Sequence, residues 1–160
     1  EMLSPAARRR AEELGCEVAD FACDITGEAR DVAAEKLDNL GNIKGKRAYI
    51  YGGETTVTLR GGGRGGRNQE MALAAAVKLR GRENIVFASA GSDGTDGPTD
   101  AAGGIADGDT YELMRSRGVD PEAELLDNNS YFALDAADSL IVTGPTGTNV
   151  NDITLILTDF

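Results

Sequence analysis

The sequence predicts an α/β fold, a three-layer α/β/α sandwich around a mixed, mostly parallel sheet of about six strands. Three observations point there. Helical patterns alternate with short apolar strand-like runs along the chain, as in layered α/β domains. The chain has 160 residues, 41% of them hydrophobic, enough for one compact domain with its own core. Gly-rich polar loops follow the apolar runs, where open α/β sheets place their ligands.

The elements follow in order. "SPAARRRAEELG" (4–15) reads as a helix, with Ser4 able to cap it, Pro5 suited to the first turn and Gly15 to the stop. A strand follows at about 17–23. "TGEARDVAAEKLDNLGN" (26–42) is a second amphipathic helix, with Thr26 as its cap and Gly41 near its end. "RAYIYG" and "TTVTL", within 44–61, are two β runs rich in Tyr, Thr, Val and Ile. "NQEMALAAAVKLRG" (68–81) is an Ala- and Leu-rich helix ended by Gly81. "NIVFASAG" (84–91) is a buried type of strand, followed by a long loop over 92–104. Helical pattern covers 108–118 and 119–137, and 139–160 holds a strand, a Gly/Thr/Asn loop and a final strand.

Charge and composition exclude several roles. Sixteen Lys and Arg stand against 27 Asp and Glu, a net charge of −11. This argues against nucleic acid and against an anionic membrane surface as partners. No apolar run is long enough to span a bilayer. Cys16 and Cys23 flank one strand, too extended to bridge them, and read as reduced core thiols of a cytoplasmic protein. "NNS" (128–130) matches a glycosylation sequon by chance in such a setting. The chain has no histidine, so any chemistry falls to carboxylates, Lys, Arg or backbone amides.

Against that acidic background, "RGGGRGGRNQE" (60–70) stands out. A helix starting near Arg67 offers unpaired amides and a positive dipole end. The glycines let backbone approach a ligand, and Arg64 and Arg67 add fork-shaped donors suited to phosphate or carboxylate. The amides after Gly65, with Gly66, would complete the cradle. The same stretch also reads as a flexible turn with solvated arginines. A Walker A loop is excluded, because no Lys-Ser or Lys-Thr occurs there. G-x-G-x-x-G does match at Gly61, Gly63 and Gly66, the dinucleotide pattern, with Asp93 placed where a ribose-binding acid could sit.

Two further loops are candidates. "GSDGTDGPTD" sets Asp93, Asp96 and Asp100 after a strand end, where carboxylates could hold Mg²⁺ or simply cap and turn the chain. "TGPTGTNVND" (143–152) presents Thr143, Thr146, Thr148, Asn149 and Asn151, which could bind a polyol or phosphate or satisfy a turn. Glu54, in "GGETT", is a fourth polar candidate, or an edge carboxylate facing water. Together the loops suggest one site with cationic, anionic and neutral walls.

"GGETTVTLRGGGRGGRNQEMALAAA", "SAGSDGTDGPTDAAGG" and "TGPTGTNVND", in this order, resemble the C-terminal (MOFRL) domain of the glycerate 2-kinase family, whose members were often labelled hydroxypyruvate reductases. The match covers roughly residues 50–155. The resemblance implies a two-domain cytoplasmic enzyme that uses ATP and Mg²⁺ to phosphorylate the 2-hydroxyl of D-glycerate in the cleft between domains. Residues 1–45 would be a lead-in and 46–160 the motif-bearing core. Arg67 would contact the phosphoryl group or the substrate carboxylate. Arg64, Gly65, Gly66, Asn68, Glu70, Thr146 and Asn149 would bind substrate or phosphate, and Asp93 and Asp96 the metal. The family's N-terminal domain, with its catalytic lysine, has no counterpart here. The expectation is therefore an isolated C-terminal half, inactive alone, whose partner is its own N-terminal domain. The rival readings are an NAD(P)H-dependent hydroxypyruvate reductase and a stand-alone module binding a small anion.

Overall fold

The computed structural model describes residues 3–41 and 43–160. The elements follow as α1 (Leu3–Glu13), β1 (Glu17–Ile25), α2 (Ala29–Asp38), β2 (Arg47–Gly53), α3 (Arg67–Leu79), β3 (Ile85–Gly91) and β4 (Gly103–Asp107). Then come α4 (Thr110–Ser116), α5 (Pro121–Leu126), α6 (Ser130–Ala136), β5 (Leu140–Ile141) and β6 (Asp152–Thr158).

One sheet runs in the order β1-β2-β6-β3-β4-β5. The α/β class, the six strands and the mixed sheet are as expected; mostly parallel pairing is not. Only β1–β2 is parallel, and the other four pairings are antiparallel. The reason is interleaving. β1, β2, β3 and β5 share one direction, while β6 is threaded between β2 and β3, and β4 between β3 and β5, both reversed. Alternation of helices and strands reports the common direction of successive strands, but not what is later laid between them.

The sheet has helices on both faces. Tyr49 and Tyr51 of β2, Phe87 of β3 and Ile156 of β6 face the larger core, with α2, α3 and the α4–α6 group. Ala48 and Ile50 face the other way and pack with Ala11 of α1. The period of two along β2 thus feeds two separate cores. α3 is the centre of the larger one. Ten of its residues are buried, including the run Asn68–Ala76, so it is covered on nearly every side. Small alanines let α2, β4 and the α5–α6 pair close on it together.

Several boundaries moved for identifiable reasons. The β run expected at 55–59 forms no strand and makes only an isolated bridge, Glu28 to Thr56. Instead the Glu28 carboxylate accepts from the Thr58 N–H and Oγ1, both at 2.9 Å. α2 starts at Ala29 with Glu28 at its N-cap position, rather than on the expected Thr26 cap. The expected helix over 26–42 also reached Asn42, which lies outside the described residues. β4 lies partly in the expected loop 92–104, hidden by its Gly-Gly start. The helical pattern over 119–137 is split at Asp127–Asn129, where Asn128 takes a positive φ of 57°.

That split receives the glycine loop. The N–H groups of Arg60 and Gly61 donate to Asn128 Oδ1, and that of Gly62 donates to Asp127 Oδ1. The Gly63 N–H donates to the Asp127 carbonyl, and the Arg64 N–H to Asn129 Oδ1. The loop therefore lies against 127–129 backbone. A Cβ on Gly63 would stand 2.6 Å from Asn129 N, whereas one on Gly62 would meet nothing. Gly63→Ala should cost about 1–3 kcal/mol in urea unfolding by overpacking, and Gly62→Ala should stay within about 0.5 kcal/mol. Equal costs would contradict this docking.

Candidate functional site

Register brings the three loops to one edge of the sheet. Asp152 opens β6 and pairs with Gly53 at the end of β2 and Gly91 at the end of β3. Glu54, the 92–102 loop and the 143–151 loop all leave from that line. The 92–102 and 143–151 loops are clasped. Thr146 N–H donates to the Asp93 carbonyl and Thr146 Oγ1 to the Ser92 carbonyl. The Val150 N–H donates to Ser92 Oγ at 2.8 Å.

The N-terminus of α3 enters this edge and is capped from outside its own segment. Asp96 is 4% exposed. Its carboxylate accepts from the N–H groups of Asn68 (3.2 Å) and Gln69 (2.9 Å), and from Asn68 Nδ2 and Gln69 Nε2. Burial pushes the Asp96 carboxyl above its ordinary value, and those hydrogen bonds pull it back. Asn68 continues the network, since its Oδ1 accepts from Ser89 Oγ, which also meets Thr154 Oγ1. Gly66 precedes the helix in an extended conformation, and a Cβ there would clash with Asp96.

Arg67, the first residue of α3, is held by two acids. Its Nε donates to Asp152 Oδ2 at 2.6 Å and its Nη2 to Asp152 Oδ1 at 3.3 Å. Its Nη1 donates to Glu54 Oε1 at 2.8 Å. The hydrogen bond to Asp152 holds the guanidinium above its ordinary value, so it stays charged. An open cleft of about 630 Å³ is lined by Thr26, residues 54–57, Gly66, Arg67, Asp96 and Gly97. The N–H groups of Gly65, Gly66 and Arg67 have no partner among the described residues. A 260 Å³ pocket at the far end of β3 and β4 is lined by no basic residue.

Of the expected site residues, the structure brings Arg67, Gly66 and Asp96 to the cleft. Gly65 immediately precedes it. Arg64 turns aside: its guanidinium lies 4.8 Å from the Tyr131 ring and its Nε donates to the Pro98 carbonyl. Asn68 is sealed in the network under the helix. Glu70 is also buried, accepting from Arg30 Nε at 2.8 Å and Asn128 Nδ2 at 3.0 Å. Thr146 is bound to the neighbouring loop, and Asn149 is exposed beside it.

The metal expectation meets a different arrangement. Asp96 spends its oxygens on α3, and Asp93 Oδ1 accepts from the Thr95 N–H. Among the described residues no group of three or more His, Cys, Asp or Glu is placed to hold a metal ion. Mg²⁺ is more often held by one or two carboxylates with waters and substrate phosphates than by an all-protein cage.

Sequence reasoning missed Asp152, Gln69 and Asp127–Asn129. Asp152 is the one acid opening the alternating run "DITLILT", and its position at a strand start was the available signal. "DNN" interrupting a helical pattern was the signal for the loop receptor.

The model of the MOFRL family matches residues 47–152. The D-glycerate 2-kinase of Thermotoga maritima is 46% identical over 154 residues, covering 92% of this chain and 37% of that protein. The glycerate 2-kinase of Pyrococcus horikoshii is 43% identical over 160 residues, covering 95% of this chain and 36% of that protein. A crystal structure of glycerate kinase from T. maritima superposes with a TM-score of 0.88 at 45% identity, covering 95% of this chain and 38% of that one. The chain thus spans little more than a third of the relatives it matches. Among the described residues no helix is long and apolar enough to cross a membrane.

The cap is testable by itself. Asp96→Ala strands the buried donors of Asn68 and Gln69 and should cost about 2–4 kcal/mol in chemical unfolding. A loss below about 0.5 kcal/mol would mean that α3 does not depend on Asp96.

Proposed function

The chain belongs to the MOFRL family, and on that premise we propose that it is the C-terminal domain of an ATP-dependent glycerate 2-kinase acting on the 2-hydroxyl of D-glycerate. In this reading residues 1–45 lead in from an N-terminal domain, 46–160 carry the motifs, and the domain is inactive alone. The protein works in the cytoplasm, with nucleotide and D-glycerate as its small-molecule partners.

One observation carries the reading. Arg67 is oriented at the mouth of an open cleft, where its own N–H and those of Gly65 and Gly66 have no partner among the described residues, at the start of a capped helix. Phosphoryl transfer is mostly positioning and neutralisation of charge on phosphoryl oxygens. A guanidinium and preorganised N–H groups supply that without histidine. Arg67 would bind the transferring phosphoryl group or the substrate carboxylate, and the amides of Gly65 and Gly66 would add donors. Mg²⁺ accompanies ATP in most phosphoryl transfer, neutralising charge between phosphates.

The same geometry weighs against the reductase reading. In a dinucleotide site the glycine loop offers its amides to a pyrophosphate. Here the N–H groups from Arg60 to Arg64 are spent on Asp127, Asn128 and Asn129. Gly61 and Gly63 lie in contact with that segment, where a Cβ on either would clash with it.

The test uses the full-length protein with ATP, Mg²⁺ and D-glycerate. ADP should form with 2-phosphoglycerate, and Arg67→Ala should lower kcat/KM by about 10²–10³-fold. NADH oxidation with hydroxypyruvate and no ADP would overturn the kinase reading.

A further inference from the structure

We propose that Asp152 positions Arg67 while Glu54 is a displaceable stand-in, so that an anionic substrate group enters the site by replacing Glu54 on Nη1. The inference rests on the reading of Arg67 as the anion-binding residue. The two acids holding Arg67 differ in every respect that matters for exchange. Asp152 is 8% exposed and grips two nitrogens side-on. Its backbone is laddered on both sides, between Gly53 and Gly91, so it cannot follow a moving arginine. Glu54 lies in the loop beyond β2, its side chain is 61% exposed, and Arg67 is its sole side-chain partner among the described residues.

A partly buried bidentate pair fixes a guanidinium in orientation. An exposed single-contact pair is worth about 1 kcal/mol or less, and a better-placed anion outcompetes it easily. Glu54 also lines the open cleft, so the Nη1 contact faces the side from which a ligand arrives. The arrangement keeps the arginine charged and aligned before substrate binds. It never leaves the cation bare, and it gives up only the weaker of its two contacts on binding.

The two acids should therefore have opposite effects when neutralised in the full-length protein. Inorganic phosphate is the probe, titrated by calorimetry, with turnover of ATP and D-glycerate as the second readout. Glu54→Gln removes a competitor and should tighten phosphate binding about 2- to 5-fold, the equivalent of one exposed ion pair. It should lower the KM of the anionic substrate with little change in kcat. Asp152→Asn should weaken phosphate binding and lower kcat by about 10-fold or more, as loss of an orienting partner does. Asp152→Glu should restore part of that loss. Circular dichroism checks folding of each variant, and if Asp152→Asn fails to fold, the Glu54→Gln arm decides. Tighter phosphate binding in Glu54→Gln supports the inference, and unchanged or weaker binding overturns it. If Arg67→Ala itself leaves phosphate binding and turnover intact, the reading of Arg67 fails. If Arg67→Ala abolishes both while the two acid variants shift them alike, only the division between Asp152 and Glu54 fails.

Discussion

The site depends on the carboxylate of Asp96 at the start of α3. α3 is the most enclosed helix, and its first turn carries two buried side-chain amides that need acceptors. Asp96 supplies them from a different loop, so one contact ties the helix to the strand-end loops. Gln69 adds a bond to Thr99, which fixes the same loop again. Without that acceptor the buried donors would each lose a hydrogen bond, and the helix start would not hold Arg67 at a fixed place.

Electrostatics then shape what the site can do. The chain carries a large negative charge, and both partners of Arg67 are acids. Charge alone would repel an anionic substrate from most of the surface. In the proposed reading recognition is therefore local, through an aligned guanidinium and backbone N–H groups close to it. The glycine loop serves this indirectly. Its amides bind the α5–α6 junction rather than a ligand, and the chain runs on from there to bring Gly66 and Arg67 to the cleft.

Much of this was legible in the sequence, and the misses have physical causes. The helix over 68–81, read from its Ala- and Leu-rich run and Gly81 stop, and the strand over 84–91, read from its apolar run, matched within a residue or two. The direction of pairing was hidden, because β6 enters the sheet last and no local pattern records a distant insertion. Arg67 was legible as a cation at a helix start in an acidic chain. Glu70 and Asn68 looked like ligand residues because they share its motif, but a helix turns its successive side chains to different sides, and these two face inward. Asp152 was hidden because its value lies in register, which places it between two glycines contributed by other strands.

The most direct measurement is a crystal structure of the full-length protein with D-glycerate and a non-hydrolysable nucleotide. The account predicts Arg67 still bound to Asp152, Glu54 withdrawn, and a phosphate or carboxylate oxygen on Nη1 at about 2.7–3.2 Å. Arg67 still paired with Glu54, with no ligand oxygen within hydrogen-bonding distance of it, would contradict the account.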